Sequence, residues 1–191
     1  MKKDLGKVAA VFPMPVLMIG TYGADGKVDV MNAAWGQICD YDKIIISLTE
    51  SHKTVENIKL KKAFTVALAD RDHVDVADYF GIVSGNNKTD KFEKSGYHAV
   101  RSEKVDAPII EEFPIVMECE LFEIIDTESI YGIVGRIVNT RANEEILSAN
   151  GKVDVRKLNA LMFDQFQSGY YTVGEKIAEA WNAGMDLAKS E

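Results

Sequence analysis

Apolar positions along the chain follow two periods, and the switches between them mark out its elements. Residues 16–22 (VLMIGTY) form a mostly apolar run rich in β-formers, entered through Pro13 and Pro15, which confine the backbone to extended or turn conformations. The turn Gly23-Ala24-Asp25-Gly26 follows, and Lys27-Val28-Asp29-Val30 then alternates polar with apolar, so the pair reads as a half-buried hairpin. Residues 44–48 (IIISL) lack polar alternation until their end, the pattern of a strand covered on both faces. A helix is predicted from Lys53 to about Lys61, with Val55, Ile58 and the stem of Lys59 turned inward. Residues 64–68 (FTVAL) return as a strand.

From Asp70 to Pro114 the pattern stops resembling sheet. Residues 74–79 read as a short amphipathic helix, 81–88 as a polar loop bearing Gly and Asn, and 89–95 as a second short helix ended by Gly96. An excursion of this length inside a compact domain carries a binding loop or lid, with an interface as the second reading. Residues 115–125 and 130–140 are the longest strand candidates, joined by the turn-like Asp126-Thr127-Glu128-Ser129. Met117, Cys119 and Leu121 alternate with Glu118 and Glu120, which predicts one core face and one wet face. Gly132 and Gly135 fall inside a strand, where they permit a bend or a close backbone contact. Residues 142–150 are polar and helix-prone, 155–163 read as a short helix and 170–173 as a last strand. The closing stretch, 174–189, sets Ile177, Ala180, Trp181, Gly184, Met185 and Ala188 at helical spacing. Strands separated by one short helix also suit a doubly wound parallel sheet, but the tight early hairpin and the long later strands favour an antiparallel sheet or barrel.

At 191 residues, with no repeat, low-complexity tract or linker, the chain reads as a single domain over residues 1–191. A composition of 47% hydrophobic and 27% charged residues is that of a globular protein, and no run approaches the roughly 20 apolar residues of a membrane span. Near the amino terminus Asp4, Pro13 and Pro15 interrupt the apolar run, so no signal peptide is expected. A net charge of −8 argues against nucleic acid and anionic membranes as partners, because both select a basic face. Cys39 and Cys119 form no paired framework and read as one loop thiol and one buried strand thiol, which fits a cytoplasmic location.

Candidate chemistry concentrates in one stretch. Thr49, Ser51, His52, Lys53 and Thr54 make a polar turn that opens a helix, where unpaired backbone N–H groups, the helix dipole, hydroxyls and a lysine favour a phosphate. Just before it, Met31-Asn32-Ala33-Ala34-Trp35 offers small residues that let a flat ligand approach the backbone. The plain alternative for the turn is an N-capped surface helix with solvated hydroxyls. Trp35 and Trp181 suit core or interface better than stacking on a ligand. The acidic run around His73 lacks the glycine and spacing of a calcium loop, so no metal site is expected, and His98 has no assigned role. The chain holds no G-x-S-x-G elbow, P-loop, zinc motif or G-x-G-x-x-G fingerprint.

Several segments in order, P-x-P-V-L-M-I-G-T-Y-G-A-D-G-K at 13–27, V-M-N-A-A-W-G at 30–36 and I-S-L-T-E-S-H-K-T-V-E-N-I at 46–58, together resemble the flavin reductase-like family, and within it flavoredoxin-like members. The match continues through A-D-Y-F-G-x-x-S-G at 77–85, T-D-K-F at 89–92, V-D-A-P at 105–108 and Y-Y-x-V-G-E at 170–175, covering nearly the whole chain. The resemblance implies a mainly β fold with flanking helices, a six-stranded antiparallel split β-barrel, and a homodimer binding FMN near its interface. It implies that Asn32, Ala33, Ala34 and Trp35 line the ring edge and that Ser47, Leu48 and Thr49 follow the ring and ribityl chain. By the same resemblance Ser51, His52, Lys53 and Thr54 would hold the phosphate, while Ser84, Gly85, Lys91 and Phe92 would supply a second wall and further phosphate contacts.

The function implied is an FMN-dependent oxidoreductase that takes reducing equivalents from NAD(P)H or a redox protein and passes them to an acceptor. No side chain is assigned a catalytic role, because the flavin ring performs the chemistry. The second reading is a non-catalytic FMN carrier in electron transfer, and the third a split-barrel enzyme that uses free flavin as substrate.

Overall fold

The computed structural model describes residues 1–188; the end of the closing helix expected at Lys189 lies outside the described residues. The elements run β1 (Met14–Pro15), β2 (Leu17–Tyr22), β3 (Val28–Ala33), β4 (Gly36–Asp40), β5 (Lys43–Ser47), α1 (Lys53–Lys61) and β6 (Ala63–Leu68). After them come α2 (Val74–Ile82), α3 (Lys91–Ser95), β7 (Ala99–Arg101), β8 (Pro108–Ile110), β9 (Ile115–Asp126) and β10 (Tyr131–Ala142). The chain closes with α4 (Val155–Leu158), β11 (Leu161–Asp164), β12 (Gly169–Thr172) and α5 (Met185–Ala188).

A seven-stranded antiparallel sheet in the order β3-β2-β6-β9-β10-β5-β4 dominates, beside a three-stranded sheet β1-β11-β12 and the hairpin β7-β8. Its two edge strands, β3 and β4, are consecutive in sequence and joined only by Ala34 and Trp35. In a flat sheet six strand spacings would hold those edges roughly 29 Å apart. A two-residue link reaches at most roughly 11 Å. The sheet therefore curls until the end of β3 meets the start of β4, and no ladder joins the two strands among the described residues. That is a split β-barrel with flanking helices. The resemblance implied six strands; the seventh is β4, an exposed edge whose mixed polarity leaves no burial pattern to read.

Curvature is built into the β9–β10 pair, whose register shifts between Val134 and Gly135 and again between Ile137 and Asn139. At Gly135 a Cβ would lie 2.4 Å from the Phe64 ring, so only glycine lets that ring fill the inside of the bend. Neighbouring residues of β2 bury in opposite directions. Val16 and Met18 join Phe80, Phe92 and Phe113 under the helices, whereas Leu17 and Ile19 join Ile44, Ile46, Phe64, Cys119 and Ile133 with Val55 and Ile58 of α1. This two-sided burial explains the unbroken apolar run at 16–22.

Several expectations need correction. Residues 44–48 are covered on one face only: Ile44 and Ile46 are buried, Ile45 is half-buried and Ser47 is exposed. The stretch 70–114 is not free of sheet, because β7 and β8 form a short hairpin within it. Residues 142–150 yield one 3-10 turn, Glu144–Ile146, and 155–163 divide into the single turn α4 and the strand β11, which pairs with β1 and β12. Residues 174–188 are helical only at Met185–Ala188, and Ile177 and Trp181 stand almost fully exposed, so the apolar face is not buried at those two positions.

The supposed wet face of β9 is dry at Glu118, which is completely buried. Its carboxylate accepts from Ser102 Oγ, from Asn139 Nδ2 and from Arg141 Nε at 3.3 Å. Burial pushes the Glu118 carboxyl up, but the Ser102 and Asn139 hydrogen bonds and the Arg141 charge outweigh it and hold the group below its ordinary value. Ser102 Oγ in turn accepts from the backbone N–H groups of Lys104 and Val105, so the buried carboxylate anchors the β7–β8 connection.

Candidate functional site

α1 starts without a side-chain cap. Its N-cap, His52, is extended, and its ring nitrogen Nδ1 accepts from Thr49 N–H at 3.4 Å instead of turning onto the helix. The His52 carbonyl takes the N–H groups of Val55 and Glu56, which leaves the helix-start donors of Lys53 and Thr54 without a cap. This removes the reading of the turn as an N-capped surface helix.

Lys53 and Thr54 line a narrow lobe of about 190 Å³ together with Asp29, Ser84, Gly85 and Lys91. Thr54 is buried and its hydroxyl donates to Asp29 Oδ2 at 3.0 Å. Lys53 is more open and pairs with Glu56 at 2.9 Å. The 84–86 loop closes over the lobe because Asn86 Nδ2 donates to the Ser51 carbonyl at 2.8 Å. At Gly85 a Cβ would fall 2.4 Å from Asp29 Oδ1 and 3.3 Å from Lys53 Cβ, so the loop approaches this closely only with glycine. Lys91 is 4% exposed, and its ammonium donates to the Phe80 carbonyl at 2.9 Å and lies over the Phe80 ring. Burial lowers the Lys91 pKa, and the Asp29 charge opposes that.

Through Met31, His52, Gly81 and Ile82 the narrow lobe opens into a wider one of about 620 Å³. Asn32, Ala33, Ala34 and Trp35 line one side, and Ser47, Leu48, Thr49 and His52 another. Asn32 Nδ2 donates to the Ala77 carbonyl at 2.9 Å, which ties β3 to α2. The Trp35 carbonyl accepts from Ser47 N–H at 2.7 Å, which ties the β3–β4 corner to the end of β5. Opposite stand Phe163, whose ring centroid is 6.3 Å from that of Trp35, and Tyr170, whose hydroxyl donates to Asp78 Oδ1 at 2.9 Å. Burial and then Asp78 push the Tyr170 phenol up to about 12, so it stays protonated.

The structure thus gathers Asn32, Ala33, Ala34, Trp35, Ser47, Leu48, Thr49, His52, Lys53, Thr54, Ser84, Gly85 and Lys91 around one groove. Ser51 and Phe92 do not line it. Ser51 is exposed and holds the loop through its carbonyl, and Phe92 lies behind the wall, stacked on Phe80 at 6.3 Å. Asp29, Asp78, Phe163 and Tyr170 are additions that sequence reasoning missed. Asp29 occupied an ordinary polar slot in an alternating strand, and only the packing of α1 and the 84–86 loop over it makes it a buried carboxylate. Away from the groove, His73 Nδ1 pairs with Asp70 Oδ1, and no three His, Cys, Asp or Glu side chains converge on a cation site among the described residues.

Solved structures share this architecture. The flavoredoxin of Desulfovibrio vulgaris (Miyazaki F) superposes with a TM-score of 0.91 at 36% identity, covering 96% of this chain and 100% of that one. The flavoredoxin of Methanosarcina acetivorans gives a TM-score of 0.88 at 26% identity, over 98% and 99% of the two chains. Nitrilotriacetate monooxygenase component B of Bacillus cereus shares the fold, with a TM-score of 0.78 at 21% identity over 89% of each chain. The profile of the flavin reductase like domain matches residues 9–170. With most of its length inside that match, the chain belongs to the flavin reductase-like family.

Proposed function

We propose that the protein is an FMN-dependent oxidoreductase of flavoredoxin and flavin reductase type, passing reducing equivalents from a donor such as NAD(P)H through bound FMN to an acceptor. One observation carries this reading: a narrow lobe at an uncapped helix start, walled by a buried ammonium, opens into a wide lobe against a strand edge. FMN has the same division, an anionic phosphate at one end and a planar tricycle at the other. The wide lobe, about 620 Å³, falls within the roughly 300–1,000 Å³ usual for small-molecule sites, and the narrow lobe adds about 190 Å³ beside it.

The residues present fit that group. Lys91 has three N–H donors and directs one to the Phe80 carbonyl, which leaves charge for a phosphate. Lys53 and Thr54 would add backbone N–H groups, Ser84 a hydroxyl, and Gly85 a close-lying main chain. Ser47, Leu48 and Thr49 would follow the ring and ribityl chain, and Asn32, Ala33, Ala34 and Trp35 would flank the ring edge. When bound, FMN supplies the hydride and electron chemistry. The chain's own part is to bind, orient and exclude water, with Trp35 and Phe163 as an apolar wall and Tyr170 as a protonated, Asp78-anchored one.

The similarity to two flavoredoxins keeps a second reading in play, a carrier that exchanges electrons with a redox protein. Stopped-flow mixing of the yellow holoprotein with NADH and NADPH separates the two: rapid bleaching of the flavin bands supports the reductase, and none supports the carrier. Protein that loses its colour on gel filtration supports use of free flavin as a substrate. This reading includes a homodimer, supported by the apolar side chains of Ile177 and Trp181, which are 96% and 95% exposed. It also includes a cytoplasmic setting without nucleic acid or membrane, supported by the acidic charge and by Cys39 and Cys119 standing unpaired. No helix among the described residues is long and apolar enough to cross a membrane.

A further inference from the structure

A second cavity, about 860 Å³, lies beyond Trp35, between the segment leading into β1 and strands β4, β5 and β9. It meets the groove at Ala34, Trp35 and Ser47, which line both. Its wall contains no charged side chain, although charged residues make up 27% of the sequence. Five wall side chains carry hydrogen-bonding groups: Trp35, Gln37, Ser47, Thr140 and Gln165. The Gln165 amide N–H groups are occupied with the Ala9 and Val11 carbonyls, which leaves Trp35, Gln37, Ser47 and Thr140 as donors to an incoming molecule.

We infer that this chamber takes a neutral, apolar carbonyl compound, quinone in class, as the electron acceptor. The inference rests on the flavin reading above. A phosphate- or carboxylate-bearing acceptor would enter without a cation to meet it, and an unpaired charge in such a place is strongly disfavoured. A quinone needs only apolar contact and hydrogen bonds to its oxygens, which hydroxyl and amide N–H groups supply. Ser47 and Trp35, at the junction of the two cavities, bring it against the ring-edge end of the groove. The stoichiometry closes: the donor's hydride delivers two electrons and one proton, water delivers the second proton, and the quinone's two C=O groups become O–H groups.

Calorimetric titration of the full-length protein with tetramethyl-1,4-benzoquinone, with no electron donor present, tests the chamber. The methyl groups block addition of the exposed Cys39 thiol to the ring. The expected result is saturable binding at one site per chain, weakened at least tenfold by Ile45→Lys, which puts an ammonium into the wall. Ile38→Lys repeats the test at an edge position that is 56% exposed, where folding is not at stake. No saturable binding, or binding that both variants leave unaltered, overturns the inference. So does a wild-type dimer that binds no quinone and that both variants convert to monomer by light scattering, because a second copy then fills the chamber. The visible spectrum of each sample keeps the two proposals apart: flavin retained without quinone binding sinks the chamber alone, and protein that never holds flavin sinks the reading beneath it.

Discussion

Thr54 donates its hydroxyl to the Asp29 carboxylate at 3.0 Å, and the two residues are 1% and 9% exposed. The bond fastens the first turn of α1 to β3 directly under the narrow lobe, so the helix start that would hold a phosphate is set by a buried polar contact rather than by a cap. Thr54→Val keeps the shape but leaves that carboxylate oxygen without its donor. Stability should fall by about 1–3 kcal/mol, read as a lower urea midpoint at unchanged slope, while Thr54→Ser should recover most of it. An unchanged midpoint for the valine variant would show that the contact carries no weight.

Lys53→Glu separates binding from folding. Lys53 is partly exposed and pairs with Glu56 one turn on, and an acidic residue in the first turn favours the helix by about 0.3–1 kcal/mol. The variant should therefore melt near the wild-type temperature yet bind FMN at least tenfold more weakly in an apoprotein titration, because a like charge replaces an attraction at the lobe. Equal FMN affinity would remove Lys53 from the phosphate site.

Lys91 sets a pH dependence with two opposite signs. Its pKa in the fold lies below the ordinary lysine value of 10.5 because burial disfavours the ammonium. The apoprotein should gain stability from this group as pH rises from the lowered pKa toward 10.5, since the unfolded chain holds the proton longer. Affinity for FMN should fall over the same rise, because the phosphate loses its cation. Lys91→Met should bind weakly at neutral pH and show no alkaline limb. A limb that survives the substitution would assign it to another group.

Glu118 predicts the acid side. Its carboxyl sits below its ordinary 4.5 in the fold, so its contribution to stability is complete above that value and lost as pH falls through the lowered pKa. Glu118→Gln should flatten the acid limb of the stability curve, whereas Glu118→Ala, which takes the acceptor away from Ser102 and Asn139, should cost about 1–3 kcal/mol. Identical acid limbs in wild type and Gln variant would contradict the assignment.

The parts legible in the sequence were those where local pattern and tertiary burial agree. Residues 53–61 form α1 as read, and the hairpin of β2 and β3 and the strands β9 and β10 follow their apolar periods. β4 was hidden because an exposed edge strand has no inside face, and Gln37, Cys39 and Asp40 carry no alternation. Glu118 and Asp29 sat in polar slots that distant segments then covered, which no local period records. The carboxyl-terminal stretch erred the other way: its helical spacing runs from 174 on, but among the described residues only the turn Met185–Ala188 is helical, because short isolated helices are marginal. At the site, the residues themselves pointed to the turn and the strand end, and only the family resemblance added Lys91; neither distinguished Phe92 in the wall's backing from Phe163 on the wall.

The central claim is that the start of α1 grips the phosphate of FMN while the β3–β4 corner receives its ring. A crystal structure of the protein grown with FMN measures this directly. The account predicts phosphate density within hydrogen-bond reach of the Lys53 and Thr54 backbone N–H groups and the Lys91 ammonium, with the tricycle against residues 32–35. Phosphate density away from α1, or a ring seated elsewhere, would contradict it.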